Sequence, residues 1–181
     1  NLDYSKCTPT ELKKHLKSKK NGKKDVDLNA EGFGGTIVLL TAAKKTPYAE
    51  VIKILVSEQA DVGVRDKDGM TALMLAVRYN PVASVTKELI KSKVEIGTRN
   101  LDGQTAVMIA AKYTKTPEII EYLLEAGANP KEKDFDGLTA FDIAKRAGNS
   151  IALDALTKNS FLSLNFATCT VKDIRARVKA G

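Results

Sequence analysis

Apolar and small residues run along this chain in blocks set off by polar turns, and the blocks return at a fixed interval. Asp102-Gly103-Gln104-Thr105 leads into Ala106-Val107-Met108-Ile109-Ala110-Ala111. Thirty-four residues earlier Asp68-Gly69-Met70-Thr71 leads into Ala72-Leu73-Met74-Leu75-Ala76-Val77. Thirty-four residues later Asp136-Gly137-Leu138-Thr139 leads into Ala140-Phe141-Asp142-Ile143-Ala144-Lys145. A fainter copy, Gly34-Gly35-Thr36-Ile37-Val38-Leu39-Leu40-Thr41-Ala42-Ala43, lies upstream. A period of this length, with Gly and Ala in register, marks a solenoid whose units bury a core only by stacking on one another. Each unit reads as a turn, a short helix, a loop, a longer helix and a finger returning to the next unit. Ala42, Ala76, Ala110 and Ala144 recur where two helices must approach closely. Pro47, Pro81 and Pro117 punctuate the loop before the second helix, where Pro suits a helix start.

These copies resemble the ankyrin repeat over roughly residues 25–156. The second helix of that family ends Leu-Leu-x-x-Gly-Ala-Asp/Asn, and Tyr122-Leu123-Leu124-Glu125-Ala126-Gly127-Ala128-Asn129 is a close copy. Ile54-Leu55-Val56-Ser57-Glu58-Gln59-Ala60-Asp61 is a fair one, and Leu89-Ile90-Lys91-Ser92-Lys93-Val94-Glu95-Ile96 is degenerate. One departure matters. The family's Thr-Pro-Leu-His becomes Thr71-Ala72-Leu73-Met74, Thr105-Ala106-Val107-Met108 and Thr139-Ala140-Phe141-Asp142, so its usual Thr–His hydrogen bond is absent. Only Asp142 can reach back to Thr139 as a capping box.

The resemblance implies an all-α fold, an ankyrin-repeat solenoid of stacked helix pairs with β-turn fingers and helical caps. On this reading residues 1–30 are an N-terminal capping helix and linker. Four repeats follow, at about 31–64, 65–98, 99–132 and 133–156, and residues 157–181 are a C-terminal capping extension with a short helix. Thr8-Pro9-Thr10-Glu11 starts the first cap with a Thr N-cap and a Glu that closes the box. Leu12 and Leu16 then face the next layer, with Lys13, Lys17, Lys20 and Lys24 toward solvent, and Asp25-Val26-Asp27-Leu28-Asn29 mimics the segment after a second helix. In the last segment Phe161, Leu162, Leu164 and Phe166 are too apolar for a free tail, and Val171, Ile174 and Val178 form one helical stripe behind Thr170. That segment either covers the last repeat or docks a partner. Repeat one, with Ile37 in place of Thr and Thr41 at an apolar position, and residues 92–97 are the expected weak layers.

Composition narrows the chemistry. The chain has 181 residues and a formal charge of +7, which points to an acidic protein surface, nucleic acid or anionic lipid as partner. No apolar run approaches the eighteen or so residues that span a bilayer. Cys7 and Cys169 sit near opposite ends of the expected stack, so unless the C-terminal segment folds back along it they lie beyond the roughly 7 Å between Cα atoms that a disulfide tolerates. Read as free thiols, they favour a reducing compartment, as does the family's cytoplasmic default. The chain opens with Asn1 rather than Met, which fits a trimmed piece or a mature periplasmic or secreted protein. His15 is the single histidine and has no catalytic partner nearby in sequence. Gly32-Phe33-Gly34-Gly35 lacks the strand–turn–helix setting of a dinucleotide site. A calcium loop through Asp66 or Asp134 would put Leu75 or Ile143 where a bidentate Glu is required. These acidic residues read instead as turn formers. No enzyme, cofactor or metal site is expected.

What remains is binding. Ankyrin proteins that resemble this chain bind through finger tips and through the ends of their first helices, along a concave face. Carried over, the finger positions are Phe33, Lys67, Leu101 and Phe135, with Thr36, Met70, Gln104 and Leu138 just beyond each Gly. The helix positions are Lys44-Lys45, Arg78-Tyr79, Lys112-Tyr113 and Arg146-Ala147. Lys44, Arg78, Lys112 and Arg146 should form a basic ladder with Tyr79 and Tyr113 side by side in it. Exposed aromatics beside cations are the usual anchors of a protein interface. The expected function is a non-catalytic protein-interaction module, monomeric when free, that grips an acidic surface or cleft of a partner. An inhibitor or protective, immunity-like binder of an enzyme is one form of it, and no small-molecule substrate is expected. The alternative is polyanion binding, to nucleic acid or a membrane surface, through the ladder and the Lys-rich cap. No recognised nucleic-acid motif accompanies the charge.

Overall fold

In each unit of this chain a first helix of 8 residues is followed, across a short loop, by a second of 9. The computed structural model describes residues 3–17, 19–20, 23–24, 28–29 and 37–158. The pairs are α2 (Val38–Lys45) with α3 (Ala49–Ser57), α4 (Ala72–Tyr79) with α5 (Ala83–Lys91), and α6 (Ala106–Tyr113) with α7 (Pro117–Glu125). In the last pair α8 (Ala140–Ala147) precedes α9, residues 150–158. The first helices pack in one row, α2 on α4 on α6 on α8, and the second helices in another, α3 on α5 on α7, with α1 (Pro9–Lys17) lying against α3. This is the all-α solenoid that the period predicts. Among the described residues no helix is long and apolar enough to cross a membrane.

The row of first helices packs closely because Ala42, Ala76, Ala110 and Ala144 are wholly buried and carry nothing beyond Cβ. Leu39, Leu73 and Val107, the apolar residues 34 positions apart, are buried beside them. Their counterpart Phe141 is 47% exposed, because α8 is the last of the row. The expected C-terminal cover for that end, from residue 159 onward, lies outside the described residues, as do Phe33, Thr36 and Cys169. Cys7 is a buried free thiol, and burial raises its pKa.

Caps differ between repeats as their residues dictate. Asp142 Oδ2 accepts from the Thr139 amide at 3.0 Å and hydroxyl at 2.6 Å, while the Asp142 amide donates to Thr139 Oγ1 at 3.2 Å. Thr8 and Glu11 close the same box on α1. In repeat two Thr71 accepts from the Met74 amide, but Met returns no oxygen. In repeat three the Thr105 amide reaches only the Met108 sulfur, at 3.4 Å, and the buried Thr105 hydroxyl has no partner among the described residues.

Helix ends show why the degenerate copy is degenerate. After α7, Ala128 donates to the Leu123 carbonyl and Gly127 to that of Leu124, around Gly127 at φ +91. This Schellman closure is the physical content of Leu-Leu-x-x-Gly-Ala. After α3 both bonds persist with Gln59 held at φ +69. After α5, Lys93 at φ +60 makes the shorter bond to Ile90, and the Val94–Leu89 bond is missing among the described residues.

Two expectations need correcting. α1 stops at Lys17, and Lys20 and Lys24 belong to a two-stranded ladder, β1 (Lys19–Lys20) against β2 (Lys23–Lys24), not to a longer helix. Pro117 does occupy the first turn of α7. Pro47 and Pro81 instead precede the N-cap residues Tyr48 and Val82, fixing the entry of the loop rather than the helix.

Side-chain amides, one buried at Asn80 and one half-buried at Asn149, join neighbouring repeats. Asn80 Nδ2 donates to the Ala43 and Thr46 carbonyls at 3.1 and 2.8 Å, and its Oδ1 accepts from the Val82 amide. Asn149 repeats the arrangement on Ala111, Thr114 and Ala152. Replacing Asn80 by Ala strands buried carbonyls and should cost about 2–3 kcal/mol in urea unfolding. Lys93→Gly relieves left-handed strain at the price of a looser unfolded chain, for a net gain of about 0.5 kcal/mol. In hydrogen exchange the amides of 92–97 should open before those of 126–131; equal protection would refute the weak-layer reading. The Thr139 bonds hold the Asp142 carboxyl below its ordinary value. The box therefore contributes fully above about pH 4 and fades as pH falls through the lowered value. The difference in thermal midpoint between wild type and Asp142→Ala should shrink accordingly in acid.

Candidate partner-binding face

Each finger is a turn closed by one side-chain oxygen. Asp66 Oδ1 accepts from the Asp68 and Met70 amides at 3.0 and 2.8 Å. Asn100 Oδ1 does the same for Asp102 and Gln104 at 3.1 and 2.8 Å, and Asp134 Oδ1 for Asp136 and Leu138 at 3.0 and 2.9 Å. Asp66 and Asp134 are the turn formers expected from the sequence, and Asn100 fills the same place in the finger between them. Neighbouring fingers are joined, the Leu101 amide donating to the Asp68 carbonyl and the Phe135 amide to that of Asp102. The apolar tips use the gap that a glycine leaves. A Cβ on Gly103 would fall 2.6 Å from the Phe135 ring, and one on Gly69 would fall 3.3 Å from Leu101 Cγ. Phe135 nevertheless remains 76% exposed.

Two basic columns follow the 34-residue interval, and the structure treats them differently. Arg65 donates across to the Arg99 carbonyl at 3.0 Å. Arg99 donates to the Gly103 and Lys133 carbonyls, both at 2.7 Å, and pairs with Glu132 at 2.7 Å. These arginines are fasteners between fingers, a role the sequence reading missed although their spacing signals it. The other column, Lys44, Arg78, Lys112 and Arg146, has no ion-pair partner among the described residues.

Cations and rings alternate along that second column. Lys44 Nζ lies 4.4 Å from the centroid of Tyr79. Arg78 Cζ lies 5.0 Å from Tyr79 and 4.7 Å from Tyr113, and Lys112 Nζ lies 5.2 Å from Tyr113. The order is Lys44, Tyr79, Arg78, Tyr113, Lys112. Attraction to the ring quadrupoles offsets the repulsion that a row of like charges would otherwise carry. Tyr79 and Tyr113 stand 46% and 39% exposed, so the rings remain at the surface.

Comparison with known families agrees with this geometry. A family model described as Ankyrin repeats (3 copies) matches residues 8–86, and one described as Ankyrin repeats (many copies) matches residues 89–144. The chain belongs to the ankyrin-repeat family. Ankyrin repeats are protein–protein interaction modules, and proteins built from them are typically non-catalytic. A search of curated proteins returns no match.

Against the ankyrin expectation, most of the expected contact positions among the described residues reach the surface and one does not. Lys45, Lys67, Arg78, Leu101, Lys112 and Arg146 are exposed, and Lys44 is half-buried against its ring. Met70 is 3% exposed and is withdrawn as a contact. Its side chain turns into the core, where its sulfur accepts from Asn100 Nδ2 at 3.5 Å. Gln104 and Leu138, its counterparts, are half-buried. With Lys112, Arg146, Ile143, Asp134 and Asp136 they line a cleft of about 300 Å³ between finger and first helix of the last two ankyrin repeats. Arg146 joins this cleft rather than the ring ladder, because Ala147 stands where Tyr79 and Tyr113 stand in their repeats. The two aspartates were not expected there. Asp134 is buried and spends Oδ1 on its turn, so the cleft is mixed in charge, not uniformly basic.

Proposed function

We propose that this chain is a non-catalytic binding protein whose finger face grips an acidic surface or cleft of a partner protein. The observation that carries this reading is the column of Lys44, Arg78 and Lys112, without an ion-pair partner among the described residues and interleaved with Tyr79 and Tyr113. Cations without carboxylate partners are available to another molecule, and complementary charge speeds encounter and fixes register. The exposed Leu101 and Phe135 add apolar contact beside the column. Where the acidic surface is an enzyme's cleft, the same contact makes the chain an inhibitor or protective binder. Polyanion binding ranks behind, since Arg65 and Arg99 are committed to neighbouring fingers and leave the basic surface discontinuous.

The test is capture from the source organism's extract with three proteins side by side: wild type, Arg78→Glu, and Tyr79→Ala with Tyr113→Ala. All substituted side chains are exposed, so the variants should fold. A partner held by wild type should lose about tenfold or more in affinity for each variant. Equal retention by all three would sink the reading. Binding to random-sequence DNA that falls steeply with salt would favour the polyanion alternative instead.

A further inference from the structure

The ladder has a spacing as well as a charge. Lys44, Arg78 and Lys112 occupy the same position in consecutive repeats, and α2, α4 and α6 carry them as neighbours in one packed row. Packed helices lie about 8–10 Å apart, so one cation is offered at roughly that interval. The rings between them already serve cations, Arg78 lying over both Tyr79 and Tyr113. A guanidinium held over aromatic rings can still offer its planar N–H fork to a carboxylate, which it binds through two parallel bonds. A partner is therefore met by a line of cations, one per repeat, of which Arg78 alone lies over two rings.

Few backbone forms present carboxylates on one face at that interval. A β-strand rises about 3.3 Å per residue with alternating side chains, so side chains three apart point to opposite faces. A polyproline-II segment has about three residues per turn and a rise near 3.1 Å, which places every third side chain on one face some 9 Å apart. An α-helix returns to one face at every turn, about 5.4 Å along its axis, and at every second turn about 10.8 Å, so it steps either short of that interval or past it. Building on the reading above, we propose that the ladder recognises an extended acidic segment of the partner in the polyproline-II form, with Asp or Glu at every third residue, one per ankyrin repeat.

Two synthetic peptides of equal length, charge and composition test this by calorimetry or fluorescence anisotropy. One repeats Glu-Pro-Pro; its isomer carries the same glutamates on alternate residues. The first should bind about tenfold more tightly, the difference of one well-made charge-assisted contact. Arg78→Lys, which keeps the charge and loses the fork, should weaken it about tenfold. Equal affinity for the two peptides overturns the register, and an indifferent Arg78→Lys overturns the part given to the guanidinium fork. Tighter binding of a helical peptide with a glutamate every second turn overturns the extended form. Either failure, alongside partner capture that still depends on Arg78, would reject this inference and leave the acidic-partner reading standing. If capture also ignores Arg78, both fall.

Discussion

A helix pair of this size cannot bury its own apolar face, so each pair must lie on the next. That single constraint explains the alanine column, the fixed interval and the exposure of Phe141 where the row ends. Packing supplies most of the cohesion, but specific polar bonds set the register. Asn80 and Asn149 lock the loops of alternate repeats to the carbonyls before them, and Arg65 and Arg99 lock finger to finger. Nearest-neighbour coupling of this kind lets single layers weaken without dissolving the stack.

The same repetition that stacks the helices also lines up whatever sits on their ends. A basic residue at one exposed position becomes a column, and a column of bare cations would repel itself. Tyr79 and Tyr113 resolve the conflict by placing a ring between successive charges. The aromatic residues are therefore not free anchors of the ordinary kind. They lie against the cations of their own and the preceding repeat.

Fastening and display are divided between two columns of identical charge. Arg65 and Arg99 find backbone carbonyls within reach because they flank the finger turns, where carbonyls of the adjacent repeat face them. Arg78 and Lys112 sit at helix ends whose nearest neighbours are rings. Net charge alone does not separate these roles. Surface basicity overstates what is available for binding once the fastened arginines are set aside.

The sequence by itself determined the period, the helix pairs, the Asp66 and Asp134 turns, and the Thr139–Asp142 box, because each depends on residues a few positions apart. It also made Tyr79 and Tyr113 visible as a repeated pair. Tertiary structure alone decided that Met70 turns inward, that Lys20 and Lys24 leave the helix, and that Asp134 enters the cleft beside Lys112 and Arg146. It decided, too, which basic column is tied to neighbouring fingers and which lies against rings. Those outcomes depend on distances between side chains in different repeats, and a repeat interval fixes which positions are neighbours without fixing which way their side chains point.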